Sequence, residues 1–159
     1  MPLLHRTIKL ILATVLSIYL ADCLGLSYAT SAGIIAILSI LDNRKYSYKM
    51  ALNRFYSTLL ALSIATITFY LLGFGIWTLG VYLVFYVPLA YHFRWEAGIA
   101  PATVLVTHLM LEKSLSISLL SNEMGLFLIG ALTALISNLY MPSQERRIEE
   151  YHERVEDKL

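Results

Sequence analysis

Apolar residues fill this chain in six long blocks, and polar residues gather in the short stretches between them. The blocks cover Thr7 to Leu26, Ala29 to Leu41, Ser47 to Leu72, Ile76 to Tyr91, Gly98 to Leu111 and Met124 to Met141. At 1.5 Å per residue, a helix of about 20 residues crosses the roughly 30 Å hydrocarbon layer of a bilayer, which suits the longer blocks. The second and fifth are shorter, and both open on small residues: Ala29-Thr30-Ser31-Ala32-Gly33 and Ala97-Gly98-Ile99-Ala100-Pro101. Side chains this small let neighbouring helices approach closely or leave room for something else. Ser47 is placed to cap the third helix. Gly73-Phe74-Gly75 makes a tight uncharged turn after it, and Glu112 to Glu123 reads as a connector that is polar at its ends. After Pro142, the residues Ile148, Val155 and Leu159 recur at helical spacing beneath a charged face. The pattern predicts an all-α membrane protein. It divides into a six-helix transmembrane domain, residues 1–141, and an amphipathic cytoplasmic tail helix, residues 142–159.

Composition agrees. Apolar residues make up 58% of the 159 residues and charged residues 14%, and the mean hydropathy is +0.67. A soluble domain of this size buries only about 68–70% of the surface its unfolded chain exposes, so the bilayer must solvate the rest. A net charge of +1 without a basic, aromatic-interleaved patch argues against nucleic acid as a partner. The single cysteine, Cys23, excludes an intrachain disulfide. Asp22 occupies the position where lipoprotein processing ahead of Cys23 would want a small residue, so the first block reads as a retained span.

The basic residues orient the bundle. With the N-terminus in the cytoplasm and six crossings, Arg6, Lys9, Arg44, Lys45, Lys49, Arg54, Arg94, Arg146, Arg147, Arg154 and Lys158 all fall inside, and Lys113 alone falls outside. Both termini are then cytoplasmic. Each group of three blocks repeats the order long span, short span opened by small residues, third span. Ala29 to Ile35 aligns with Ala97 to Thr103. Three crossings per half make the second half inverted, an arrangement common among transporters.

No catalytic constellation is visible. A phosphate-binding loop is absent, and His5, His92, His108 and His152 lack ligand spacing, so neither a metal nor a cofactor is expected. Arg54 is the main candidate. It lies seven residues inside the third helix, where a guanidinium either snorkels back to water or offers a planar fork to a carboxylate. Asp22, Glu112 and Glu123 fall on the outer side. His108 and Glu112, one turn apart, form either a hydrogen-bonded structural pair or, with Asp22, a proton-linked group. Tyr82, Phe85 and Tyr86 lie at helical spacing on one side of the fourth helix, as a packing stripe or a stacking surface for aromatic substrates.

Several segments together resemble the aromatic acid exporter family, within the wider fusaric-acid-resistance group. These are Arg6-Thr7-Ile8-Lys9 ahead of the first span, Tyr28-Ala29 opening an Ile-Ile-Ala-Ile-Leu-Ser-Ile helix, and the basic turn leading into Arg54. The family's Arg-x-x-Gly-Thr-x-x-Gly motif is matched by Arg54, Ser57, Thr58 and Ala61, each glycine replaced by a small residue. Trp95-x-x-Gly98 resembles its second-half pattern. The resemblance implies passage of organic anions, aromatic carboxylates among them, through a bacterial cell membrane. It implies a substrate pathway near Arg54, Ser57, Thr58, Ser31, Tyr28, Arg94 and Trp95. Related anion channels pair their subunits, so a homodimer is expected, with small residues of the second and fifth helices as contact surfaces. Family members usually carry a large cytoplasmic domain after the membrane part; only a tail follows here, placed to meet such a domain or partner. The alternative is a membrane scaffold that recruits a cytoplasmic partner through that tail and transports nothing.

Overall fold

The computed structural model describes residues 2–40 and 47–140. The acidic and basic residues Asp42, Arg44 and Lys45 and the expected tail helix, 142–159, lie outside the described residues. Six α-helices follow in order: α1 (Pro2–Cys23), α2 (Ala29–Ser39), α3 (Ser47–Leu72), α4 (Ile76–His92), α5 (Ile99–Glu112) and α6 (Ile117–Tyr140). A single 3-10 turn, Glu96–Gly98, leads into α5. Among the described residues there is no strand.

Most boundaries fall near the hydrophobic blocks, and the sixth does not. α6 begins at Ile117 rather than Met124, because Ser116 caps it: its Oγ accepts from the Leu119 N–H at 3.2 Å. The latter half of the expected connector is therefore helix. Glu123 lies inside α6, near its start.

The turns that end α1 and α4 match bond for bond. After α1, Leu24 N–H donates to Leu20 O, Gly25 to Asp22 O and Leu26 to Ala21 O. After α4, Phe93 donates to Leu89 O, Arg94 to Tyr91 O and Trp95 to Ala90 O. This is the double hydrogen bond that closes a helix through a left-handed residue. Gly25 adopts φ 70 freely, whereas Arg94 at φ 59 holds the same conformation with a Cβ, at a cost of about 1–2 kcal/mol. The shift that carries Cys23 onto His92, 69 positions, also carries Leu72 to within one residue of the end of α6. It places Ala29 opposite Gly98. The small residues alone set Ala29 against Ala97 instead.

Packing follows that shift only in part: α2 on α6 corresponds to α5 on α3, and α1 on α6 to α4 on α3, but α2 packs extensively on α1 whereas α5 touches α4 little. One core joins α3, α4 and α5 through Ala61, Ala65, Phe69, Tyr82, Tyr86 and Val106. The other joins α1, α2 and α6, with Leu105 of α5, through Ala21, Ala32, Ile35, Leu126 and Phe127. The small residues permit this closeness. A Cβ on Gly130 would stand 2.6 Å from Ala32 O, and one on Gly33 would stand 2.7 Å from Ile18. Ser31, Ala32, Gly33 and Ala36 are buried against neighbours in the same chain. These small residues of α2 are thus used inside the protomer.

Two helices, at Tyr48–Leu72 and Ile117–Leu139, are long and apolar enough to cross a membrane, and α2 and α4 are shorter apolar helices. Large apolar side chains such as Val15, Leu16, Tyr19, Ile67, Val84 and Phe85 are exposed around the bundle, and Trp77 is 88% exposed. In water this belt would be an aggregation surface; in lipid it is the outside of the protein.

Candidate functional site

The residues singled out from the sequence separate into two groups at opposite ends of the bundle. Arg54, Ser57, Thr58, Arg94 and Trp95 meet where α3 begins and α5 begins. Tyr28, Ser31, His108 and Glu112 meet where α2 begins and α5 ends. Ser31 and Tyr28, expected beside Arg54, belong to the far group. Asp22 is exposed in the last turn of α1.

At the first end, Arg54 is 6% exposed. Its Nε–H donates to Ala97 O at 3.2 Å, tying α3 to the turn ahead of α5. Among the described residues that is the only hydrogen bond of the guanidinium, and its terminal nitrogens meet no acceptor there. Arg54 lines a small crevice with Ser39, Asn138, Met50, Ala51, Ala131 and Leu135. Ser39 Oγ is buried there without a hydrogen-bond partner. Asn138 Nδ2 reaches Ser39 O at 3.5 Å, at the limit of a hydrogen bond. A buried guanidinium beside an unsatisfied hydroxyl offers donors to a carboxylate.

Ser57 and Thr58, adjacent in the motif, do different things. Ser57 Oγ and Tyr86 Oη share a hydrogen bond of 2.8 Å, and Tyr86 Oη donates on to Gly98 O at 3.4 Å. A Cβ at Gly98 would collide with Ser57 and stand 3.2 Å from Arg54 Cα, so α5 starts pressed against α3. Thr58 is fully buried and its Oγ1 has no partner. Arg94 is exposed, and its carbonyl accepts a long bond, 3.4 Å, from Asn53 Nδ2. Trp95 stacks on Tyr56 and Phe93. The aromatic stripe of α4 divides: Tyr82 and Tyr86 are buried and stacked 5.2 Å apart, whereas Phe85 faces outward. Those two tyrosines are core.

At the second end, His108 does not pair with Glu112. Its Nδ1 is 2.6 Å from Glu123 Oε2 and its Nε2 is 3.1 Å from Ser31 Oγ. Glu112 instead accepts from Tyr28 Oη at 2.6 Å. That bond raises the Tyr28 phenol above its ordinary pKa, because ionising it would place two anions in contact. The Tyr28 ring lies parallel to the His108 imidazole, 4.3 Å away. Its left-handed backbone, φ 60, sets it there at the start of α2. Glu123, fully buried, also accepts from Asn122 Nδ2 at 3.1 Å. Asn122 in turn accepts from Ser27 N–H at 2.8 Å and donates to Ser27 O at 3.1 Å.

Glu123, Asn122, Ser39 and Asn138 were not among the site residues expected from sequence. The readable signal lay in Asn53-Arg54 and Asn122-Glu123, the same polar pair 69 positions apart, once Ser116 is taken as a helix cap. Among the described residues no cluster of three or more metal-ligand types occurs.

Residues 1–141 match the family described as aromatic acid exporter family member 1. The chain is also 34% identical over 153 residues to the "Uncharacterized protein YqjA" of Bacillus subtilis (strain 168), covering 96% of this chain and 48% of that protein. It therefore spans about half the length of the curated relative that it matches. No solved structure matches it. With a helical bundle of apolar exterior and a match over its whole described part, the chain belongs to the aromatic acid exporter family, a family of membrane transporters.

Proposed function

We propose that this chain forms the membrane part of an exporter that passes organic carboxylates, aromatic ones among them, outward from the cytoplasm. The observation that carries the reading is Arg54. A guanidinium at this depth costs up to about 2.5–3.5 kcal/mol relative to water, less near the helix end. Here it is buried with one hydrogen bond made and a crevice beside it that holds an unsatisfied hydroxyl. A carboxylate would complete that set. In this reading the Arg54 end is cytoplasmic, where the exposed Arg6, Lys49 and Arg94 would draw anions in. Arg54, Ser57 and Thr58 then lie along the substrate path, with Arg94 and Trp95 at its mouth.

The architecture proposed with it is six spans in two inverted halves. The matched turns after α1 and α4, the shared spacing of helix ends and the reciprocal packing of α2 on α6 and α5 on α3 support this. A homodimer is proposed as the working unit, because a single small bundle encloses little polar path. Efflux of an aromatic carboxylate from proteoliposomes tests the function. Flux above protein-free vesicles that falls in Arg54→Gln is expected; wild-type protein that neither binds nor passes any carboxylate would leave the scaffold reading in its place.

A further inference from the structure

The Asn122 side chain cannot turn over. One side of its amide accepts from Ser27 N–H and the other donates to Ser27 O, and a backbone N–H and C=O have fixed roles. Nδ2, a donor, therefore always faces Glu123 Oε1. Glu123 Oε1 must accept, so any proton on this carboxyl sits on Oε2, against His108 Nδ1.

This leaves two arrangements without a clash. In one, Glu123 is ionised, His108 carries its proton on Nδ1, and Ser31 Oγ–H donates to a bare Nε2. In the other, one more proton is present. His108 is then protonated on Nε2, which donates to Ser31 Oγ, and the remaining proton lies between Nδ1 and Oε2. A further proton would have to face the Nδ1–H or the Asn122 amide, donor against donor. The network accepts one proton and no second.

We propose that His108 and Glu123 form a buried binding site for a single proton, and that taking up this proton reverses the hydrogen bond between α5 and Ser31 of α2. The groups around the pair come from every element packed on it. α2 contributes Ser31 and, at its start, Tyr28; α5 itself contributes Glu112; α6 contributes Asn122. Asp22 and Cys23 in the last turn of α1, Tyr19 a turn earlier and Lys113 beyond α5 are the other ionisable groups at this end among the described residues, all exposed, and the outer half of α3 has Tyr70 alone, 81% exposed. Tyr28, stacked on the imidazole and held by the exposed Glu112, covers His108 on its open side. The site goes beyond the exporter reading and does not depend on it.

The test uses the full chain in detergent without any anion, labelled with nitrogen-15 histidine. His108 signals are identified by their loss in His108→Gln and followed from about pH 5 to about pH 9. The wild type should show Nε2 gaining a proton as pH falls, while Nδ1 stays in its hydrogen bond. In Glu123→Gln the fixed Asn122 donor faces the new amide oxygen, which turns the amide nitrogen onto Nδ1. His108 should then hold the neutral Nε2–H tautomer across the range, and the protein should take up one proton fewer. A wild-type His108 whose Nε2 keeps one protonation state throughout overturns the proposal, whether or not the variant folds. So does a folded Glu123→Gln protein in which His108 titrates as in the wild type.

Discussion

Arg54 and Glu123 stand 69 positions apart, the spacing that carries Cys23 at the end of α1 onto His92 at the end of α4, and one is a base and the other an acid. Each is buried. Each follows an asparagine, Asn53 or Asn122, whose amide reaches back to the turn that precedes a short helix. The shift between them also carries the starts of α2 and α3 to within one residue of those of α5 and α6. A cation is thus presented near the start of α3 and a carboxyl near the start of α6.

The close approaches should be intolerant of a single methyl. Gly98→Ala would drive α5 off Ser57 and Arg54, and Gly130→Ala would drive α6 off the Ala32 carbonyl and Ile35. Since backbone or short side chains oppose both, neither can yield cheaply. Each change should cost about 1–3 kcal/mol, read as a lowered thermal midpoint in detergent. Gly80→Ala, with nothing within 4 Å, is the control and should hold the midpoint or raise it slightly, since alanine favours the helix. Equal stability of all three variants would contradict the packing described.

The two asparagines should differ in worth. Asn122 makes three hydrogen bonds, one to a fully buried carboxyl. Asn53 makes one long one to an exposed turn. Asn122→Ala leaves Glu123 short of a donor and should lose about 1–3 kcal/mol, whereas Asn53→Ala should lose about 0.5 kcal/mol or less. Thermal unfolding of the two variants side by side decides this, and the reverse order would count against the network.

Much of the fold was readable because lipid-facing and core helices are both apolar, so the blocks announce themselves. The six-element order followed from that, as did the close approach of helices at the small residues. What the blocks could not show was Ser114 to Glu123, where serines and Asn122 break the apolar run and read as a connector; capping by Ser116 makes most of it helix. Glu123 was thereby left outside the bundle, and Glu112, one turn from His108 in sequence, stood in for it. Helical spacing places His108 and Glu112 on one face, but it does not say what α2 and α6 bring to that face. Ser39 and Asn138 were illegible for the same reason: each is a lone polar residue in an apolar helix until the crevice brings it to Arg54.

Orientation has a direct check. With Cys23, which is exposed, replaced by serine, single cysteines at Asn43 and Ser121 should react with an impermeant thiol reagent from opposite sides of the membrane. Asn43 should label from the cytoplasm and Ser121 from outside; native Cys23 should label with Ser121. The opposite assignment would reverse the proposed direction of export.

Thr58 separates packing from passage. Its hydroxyl is buried without a partner, and leaving one so usually costs about 1–3 kcal/mol. Thr58→Val keeps the shape and removes the hydroxyl, so stability should hold or rise by about 1 kcal/mol. If Thr58 lies on the substrate path, the same variant should bind carboxylate several-fold more weakly, measured by ligand-induced thermal shift. A stabilised protein with unchanged affinity would take Thr58 off the path and make it a packing residue.

Arg54 carries the exporter reading, and two substitutions divide its possible roles. Arg54→Lys keeps a positive charge at the cytoplasmic end and keeps the topology signal, but replaces the planar fork by a point charge. Arg54→Gln removes the charge. Both lose the Nε–H bond to Ala97 O, a single contact worth about 1 kcal/mol, so each should fold and insert as the wild type does. If the guanidinium holds a carboxylate, both should weaken binding, Gln more than Lys; a lost charge-assisted hydrogen bond of about 1.5–3 kcal/mol is about a 10- to 150-fold change in affinity. Efflux from proteoliposomes should fall in the same order. If Arg54 only anchors α3 by reaching back to water, lysine does that equally well and the Lys variant keeps wild-type affinity and flux. That outcome would remove Arg54 from the pathway, and the crevice beside it would then have no anion to hold.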